Sequence, residues 1–290
     1  MTVPDRMAWR GYDKATLDAQ YDQRTRVPDA PARMAVWAER SAALRAERAP
    51  RTLRYGPGPD ETLDHFPGAD GAPLHLHLHG GAWRLGSKSD SSFLAPALGA
   101  DGAHVVIADF SLAPAASLEE IVDQIRRAAR WTRAAAASLG AADAPIHVSG
   151  HSSGAHLAAM LFDARGAAEA GLVASALLVS GVYDLQPVRA SARNDYLFLD
   201  EDRAEALSPV VAPHPVPAAL FCAEGDLDEF RRQSALMAAA LRAAGAPVLE
   251  RTLPGHDHFS VYDAMGAPAG PLARTARALM AGRDPGEIPD

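Results

Sequence analysis

The 290-residue sequence holds a single cysteine, Cys222, so no disulfide can form within the chain, which suits a reducing compartment. Cys222 sits in the apolar run Ala218-Ala219-Leu220-Phe221-Cys222-Ala223 and reads as a buried strand residue, not as a nucleophile. Long apolar stretches are missing too. None follows the opening Met1-Thr2-Val3-Pro4-Asp5-Arg6, and the longest apolar runs have strand length. The expected location is therefore the cytoplasm, with neither a secretion signal nor a membrane span. Nor is there an excess of positive charge: 28 Lys and Arg against 36 Asp and Glu leave a net charge of −8. That balance argues against a nucleic-acid backbone or an anionic membrane as partner.

Apolar residues make up 48% of the chain and charged residues 22%, which is enough to bury a large core. The length fits one large α/β domain, or one domain with a small cap. The expected division is an N-terminal helical segment or cap over residues 1–50 and a catalytic domain over residues 51–285. In the first segment Met34, Trp37, Ser41 and Leu44 recur at helical spacing. Strands are predicted over residues 51–56, 61–66, 73–79, 104–108, 146–149, 173–180, 218–223 and 248–253. Leu118, Ile121, Val122, Ile125 and Ala129 trace an amphipathic helix, and further helices are predicted over 153–164, around Phe230, Met237 and Leu241, and over 270–282. Such alternation implies a mostly parallel central sheet with helices on both faces and a site beyond the carboxyl ends of the strands.

Gly150-His151-Ser152-Ser153-Gly154 falls between a predicted strand and a predicted helix. This is the context in which G-x-S-x-G places a serine on a tight turn above the sheet, and it makes Ser152 the candidate nucleophile, with Ser153 a rival by residue type. The Ser153 amide, at the helix N-terminus, points where an oxyanion would form. His79-Gly80-Gly81-Ala82-Trp83 follows another strand, and the amides around Gly80, Gly81 and Ala82 are the other candidate oxyanion donors. His75, His77 and His79 alternate and share a strand face, which also admits a zinc reading. The reading preferred is that His79 braces the glycine turn, with no metal and no cofactor required.

A serine hydrolase needs a base and an orienting acid in the order serine, acid, histidine. Asp226 follows strand 218–223 and His258 follows strand 248–253. Asp228, His256 and Asp184 are rivals, and spacing alone does not separate them.

Several segments resemble the arylformamidase (kynurenine formamidase) branch of the α/β-hydrolases, near the hormone-sensitive-lipase-like esterases. His79-Gly80-Gly81-Ala82-Trp83 resembles that branch's H-G-G-x-W loop, and Gly150-His151-Ser152-Ser153-Gly154-Ala155-His156-Leu157-Ala158 its elbow. Asp226-Leu227-Asp228-Glu229-Phe230-Arg231-Arg232-Gln233-Ser234 resembles its acid segment and His256-Asp257-His258-Phe259 its D-H-F element. Asp109-Phe110-Ser111-Leu112-Ala113-Pro114 is similar to the esterases' D-Y-R-L-A-P. The resemblance implies an α/β-hydrolase fold and a triad of Ser152, Asp226 and His258. Ser153 replaces the usual alanine, of which only the backbone is needed; Phe110-Ser111 replaces a Tyr-Arg pair; Ala82 stands where an aromatic residue is common.

The expected reaction is acyl transfer to water from a small amide such as an N-formyl aryl amine. Short-chain esters or carbamates form the second reading, and a non-catalytic binding protein the third. The expected partner is a small-molecule substrate, with a homodimer left open. Trp83, Phe110, Tyr183, Tyr196 and Phe198 are candidates for an aromatic substrate wall, each equally readable as ordinary packing.

Overall fold

The computed structural model describes residues 9–166 and 171–289. Among them β1 (Arg51–Arg54), β2 (Thr62–Phe66), β3 (Leu74–Leu78), β4 (His104–Ala108), β5 (Ile146–His151), β6 (Val173–Val179), β7 (Ala218–Ala223) and β8 (Val248–Leu253) form one sheet. Its order is β1-β2-β4-β3-β5-β6-β7-β8. The strands lie within two residues of the expected bounds. β2 is antiparallel to both β1 and β4, and every other neighbour is parallel. The antiparallel edge has a local cause. Gly56-Pro57-Gly58-Pro59 breaks the run, and the Glu61 carboxylate accepts from the Gly58 amide at 3.1 Å, so the chain folds back without a crossover.

The helices are α1 (Lys14–Ala19), α2 (Ala30–Glu47), α3 (Ala95–Leu98), α4 (Leu118–Ala134), α5 (Ser153–Met160), α6 (Gln186–Ala190), α7 (Asn194–Leu197), α8 (Glu201–Ala206), α9 (Asp228–Ala243), α10 (Ser260–Met265) and α11 (Pro271–Met280). Helix α4 begins where Ser117 and Glu120 satisfy each other's amides in a capping box. It then lays Leu118, Ile121, Val122 and Ile125 onto the sheet. Each such buried side chain contributes roughly 1.5–3 kcal/mol. The period-2 pattern of β4 divides the core into two layers. Val106 and Ala108 join α4, α5 and α9 on one face, while Val105 and Ile107 join Trp37, α10 and α11 on the other.

The N-terminal segment is tied to the sheet domain at several places, Ser41 donating to the Asp90 carbonyl and Arg33 facing Asp257 among them, and its residues 1–8 lie outside the described residues. Trp37 of α2 stacks on Phe93 and Phe259, and its indole N–H donates to Asp263 at 2.9 Å. Farther toward the N-terminus, Tyr21 packs on Phe230 of α9, and the Asp18 carboxylate accepts from the Ala192 amide at 2.6 Å.

Strand β3 alternates leucine and histidine and is buried throughout. His75 and His77 share the Ser149 hydroxyl at 2.6 and 2.9 Å, and His77 also pairs with the Tyr262 hydroxyl at 3.0 Å. Their imidazoles thus bind these hydroxyls, and among the described residues no cluster of three or more His, Cys, Asp or Glu is arranged for a metal. Burial pushes His75 down to about 3 and His156 to about 4. Burial together with the neighbouring His258 pushes His151 to about 3. These rings are neutral in the fold, whereas in the unfolded chain they titrate near 6.5. Their contribution is therefore fully present above about pH 6.5 and is lost as pH falls from there toward the folded values. We expect the melting temperature to fall reversibly between pH 6.5 and 4.5, each such histidine withdrawing about 1.4 kcal/mol per pH unit. A melting temperature flat over that range, measured by circular dichroism, would contradict the neutral-core account.

Candidate active site

Ser152 follows β5 with φ +56° and ψ −124°, a left-handed position that a serine occupies only under constraint. The constraint comes from both sides. The Ser152 amide donates to the Val179 carbonyl at 2.9 Å, and its own carbonyl accepts from Ala155 at 3.0 Å as α5 begins. Close packing explains the following glycine: a Cβ on Gly154 would lie 2.1 Å from the Leu78 carbonyl oxygen.

His258 reaches this serine from the loop after β8. Its Nε2 lies 3.0 Å from Ser152 Oγ and its Nδ1 lies 2.7 Å from Asp226 Oδ1. Asp226, at the end of β7, is fully buried. Its second oxygen accepts from the Ser180 hydroxyl at 2.6 Å and from the Ala223 amide at 2.8 Å. Burial alone would raise the Asp226 pKa. The facing His258 and the hydrogen bonds from His258, Ser180 and Ala223 outweigh it, and the net direction is downward. An ionised Asp226 holds the His258 Nδ1 proton, leaving Nε2 free to accept from Ser152. The ring is fixed further by His151, whose Nε2 donates to the His258 carbonyl at 2.8 Å, and by Phe230, which meets it edge-on at 4.9 Å.

The loop after β3 runs beside the elbow. Gly81 has φ +118°, and a Cβ there would meet the Leu85 carbonyl oxygen at 2.0 Å. Ala82 and Trp83 are also left-handed, at φ +55° and +60°. His79 donates from Nδ1 to the Gly80 carbonyl at 2.8 Å and stacks on Phe110 at 4.5 Å, so the ring does brace the turn. The Trp83 amide donates to Ser153 Oγ at 3.2 Å, which ties the loop to the first turn of α5. The Ser153 hydroxyl therefore has a partner of its own in addition to the backbone role expected of it. The amides of Gly81 and Ala82 find no acceptor among the described residues. The Ser153 amide opens α5 and has no partner within the helix.

The rival residues lie elsewhere. Asp184 caps the Gln186 amide at 3.1 Å and faces Arg232 at 3.5 Å. Asp228 pairs with Arg231, and His256 accepts from the Gly225 amide through its backbone carbonyl at 2.8 Å while its Nδ1 has no hydrogen-bond partner. The expected aromatic wall does not form as one surface. Phe110 and Tyr183 are buried packing residues, the first on His79 and the second against Gly181. Trp83 is buried too, its indole N–H donating to His156 at 3.2 Å. Tyr196 is half-buried under Arg84, and Phe198 is exposed. Sequence reasoning missed Ser180, His151 and Tyr262, because single polar residues in strand or helix ends carry no spacing signal.

Residues 75–261 match the model of a family described as alpha/beta hydrolase fold. Kynurenine formamidase of Danio rerio is 32% identical over 88% of this chain and 92% of its own length. Carboxylesterase NlhH of Mycobacterium tuberculosis is 30% identical over 73% of each. A solved structure from Silicibacter sp. tm1040 superposes with a TM-score of 0.79 at 26% identity, covering 89% of this chain and 97% of that one. The family match over residues 75–261 and the 32% identical relative place the chain in the α/β-hydrolase family, as a hydrolase related over most of its length to kynurenine formamidases.

Proposed function

We propose that the chain cleaves a small amide, an N-formyl aryl amine or a close analogue, with Ser152 as nucleophile, His258 as general base and acid, and Asp226 as its orienting carboxylate. The observation that carries this reading is the unbroken line from Asp226 through His258 to Ser152, at 2.7 and 3.0 Å. Ser152 Oγ attacks the acyl carbon as its proton passes to His258 Nε2. The oxyanion is held by the amides of Gly81, Ala82 and Ser153, with Gly80 shaping the loop. The C–N bond then breaks, His258 gives its proton to the departing amine, and an acyl-serine remains. A water activated by His258 attacks that ester, releases the acid and restores Ser152.

The amide preference is supported by the kynurenine formamidase relative, which aligns over more of the chain than the carboxylesterase does. A short-chain ester is the second reading, favoured by the latter relative. No described helix is long and apolar enough to cross a membrane, which is compatible with a small-molecule substrate met in water.

Ser152→Ala is expected to lower kcat by about 10⁶ while leaving the melting profile intact. A variant retaining a tenth of the activity would remove Ser152 from the mechanism. Ser153→Ala deprives the Trp83 amide of its acceptor and is expected to lower kcat about 10-fold with little change in KM, since a loosened loop misplaces oxyanion donors. An unchanged kcat would show that the hydroxyl has no part in positioning. In a direct comparison, kcat/KM for an N-formyl aryl amine should exceed that for a short-chain aryl ester. The reverse order would establish the ester reading.

A further inference from the structure

Strain in the oxyanion loop needs a restraint, and the restraints converge on one residue. Trp83 holds φ +60° beside Ala82 at +55°, two left-handed positions in a row that neither side chain favours. Every polar group of Trp83 is engaged. Its amide donates to Ser153 Oγ at 3.2 Å, its carbonyl accepts from the Ala113 amide at 2.8 Å, and its indole N–H donates to His156 Nδ1 at 3.2 Å. The indole meets the His156 ring edge-on, with centroids 5.2 Å apart. His156 is fully buried, and its other nitrogen donates to the Leu207 carbonyl at 2.8 Å.

Two features make this imidazole more than a filler of the core. One is its tautomer. The Leu207 carbonyl can only accept, so His156 Nε2 carries the proton and Nδ1 keeps the lone pair that the indole requires. Burial pushes the ring down to about 4, so this acceptor persists at neutral pH. The other is its place on α5. Ser153 and His156 stand three residues apart, on one face of the helix that starts beside Ser152. Ser153 takes the Trp83 backbone and His156 the Trp83 side chain, so the nucleophile's own helix grips the loop twice. With Trp83 fixed at backbone and ring, the adjoining Ala82 amide has little freedom to turn. His75 and His77, equally buried, hold hydroxyls of the core instead.

We propose that His156 is a positioning residue for the reaction: through the Trp83 indole it holds the oxyanion loop in its strained form, so that the Gly81 and Ala82 amides are in place when charge develops on the acyl oxygen. This rests on the hydrolase reading of Ser152. His156 itself takes no proton and touches no substrate. The cost of losing its bond to Trp83 falls on transition-state stabilisation, and so on kcat.

Two substitutions separate the bonds of His156, with an N-formyl aryl amine and a short-chain aryl ester as substrates. Asparagine carries its carbonyl oxygen on Cγ, where Nδ1 is attached, and can accept from the indole. Glutamine reaches toward the Leu207 carbonyl instead and leaves the indole without its acceptor. His156→Asn is therefore expected to keep kcat within about 3-fold of wild type. His156→Gln should lower it about 30-fold with KM little changed, a part of what removing an oxyanion donor costs. Trp83→Phe, which keeps a ring and removes the N–H, should match His156→Gln, and the double variant should be no worse than either. Phenylboronic acid, which forms a charged tetrahedral adduct with a serine, should bind His156→Gln about 30-fold more weakly, while the aryl amine product binds both proteins equally. Undiminished kcat in His156→Gln overturns the proposal. So does an equal loss in the Asn and Gln variants, because a histidine that merely fills the core would cost stability in both without separating them. A loss carried by KM overturns it too. If His156→Gln does not fold, Trp83→Phe decides, and wild-type kcat there overturns the assignment. A wild-type protein that hydrolyses neither substrate would sink the Ser152 reading and this one together, whereas an active wild type with indifferent variants sinks only the role of His156.

Discussion

The hydrogen bond from His258 Nδ1 to Asp226 Oδ1, 2.7 Å long and closed to solvent, is the contact around which the site is organised. Without it the imidazole has no preferred tautomer and no fixed plane. Two loops from different strands must meet to make it, and Ser152 comes from a third. Neighbouring strands in a sheet are about 4.8 Å apart, so the ends of β5, β7 and β8 do not coincide by themselves. The loops after β7 and β8 must reach back toward β5. Ser180, at the end of the intervening β6, bridges part of that gap by donating to Asp226. His151 bridges the rest by donating to the His258 backbone.

Holding this geometry costs conformational energy. Ser152, Ser180, Ala82 and Trp83 all occupy the left-handed region without being glycine, and all four belong to the elbow, the acid's support or the oxyanion loop. Such positions cost of order 1–3 kcal/mol each and persist only where the surroundings over-determine them. Here the surroundings are two apolar layers packed on a sheet whose inner strands are buried on both faces. Strain and its support are thus spatially separate: the helices and strands supply stability, and the loops at one sheet edge use it.

Buried histidines follow the same division. His75, His77 and His156 act as neutral hydrogen-bonding core residues, linked to Ser149, Tyr262 and Trp83. Among the described residues only His258 faces both a carboxylate and a hydroxyl in one line. Surroundings, not residue type, separate the candidate base from the packing. The same holds for cations, since Lys88 is buried with its counter-ions and Arg193 without one.

Much of this was legible in the sequence. Period-2 and period-3.6 patterns are local and marked out the strands and helices within a few residues. The elbow, the glycine pair and the acid and histidine loops each stood at a strand end, because a tight turn restricts which residues can occupy it. The antiparallel edge strand was not separately visible, since a strand's apolar pattern does not reveal its direction. Neither spacing nor composition could choose Asp226 over Asp228, or His258 over His256, because two residues along a loop differ only in where the side chain finally points. The family resemblance pointed to Asp226 and His258, but their meeting with Ser152, the support from Ser180 and His151, and the tie between Ser153 and Trp83 depend on contacts between residues far apart in the chain. The residue types available for chemistry and the strand ends that carry them were thus determined by the sequence alone. Which of them meet was decided by the tertiary packing, since local preference acts over a few residues and hydrogen-bond distance is a property of the assembled fold.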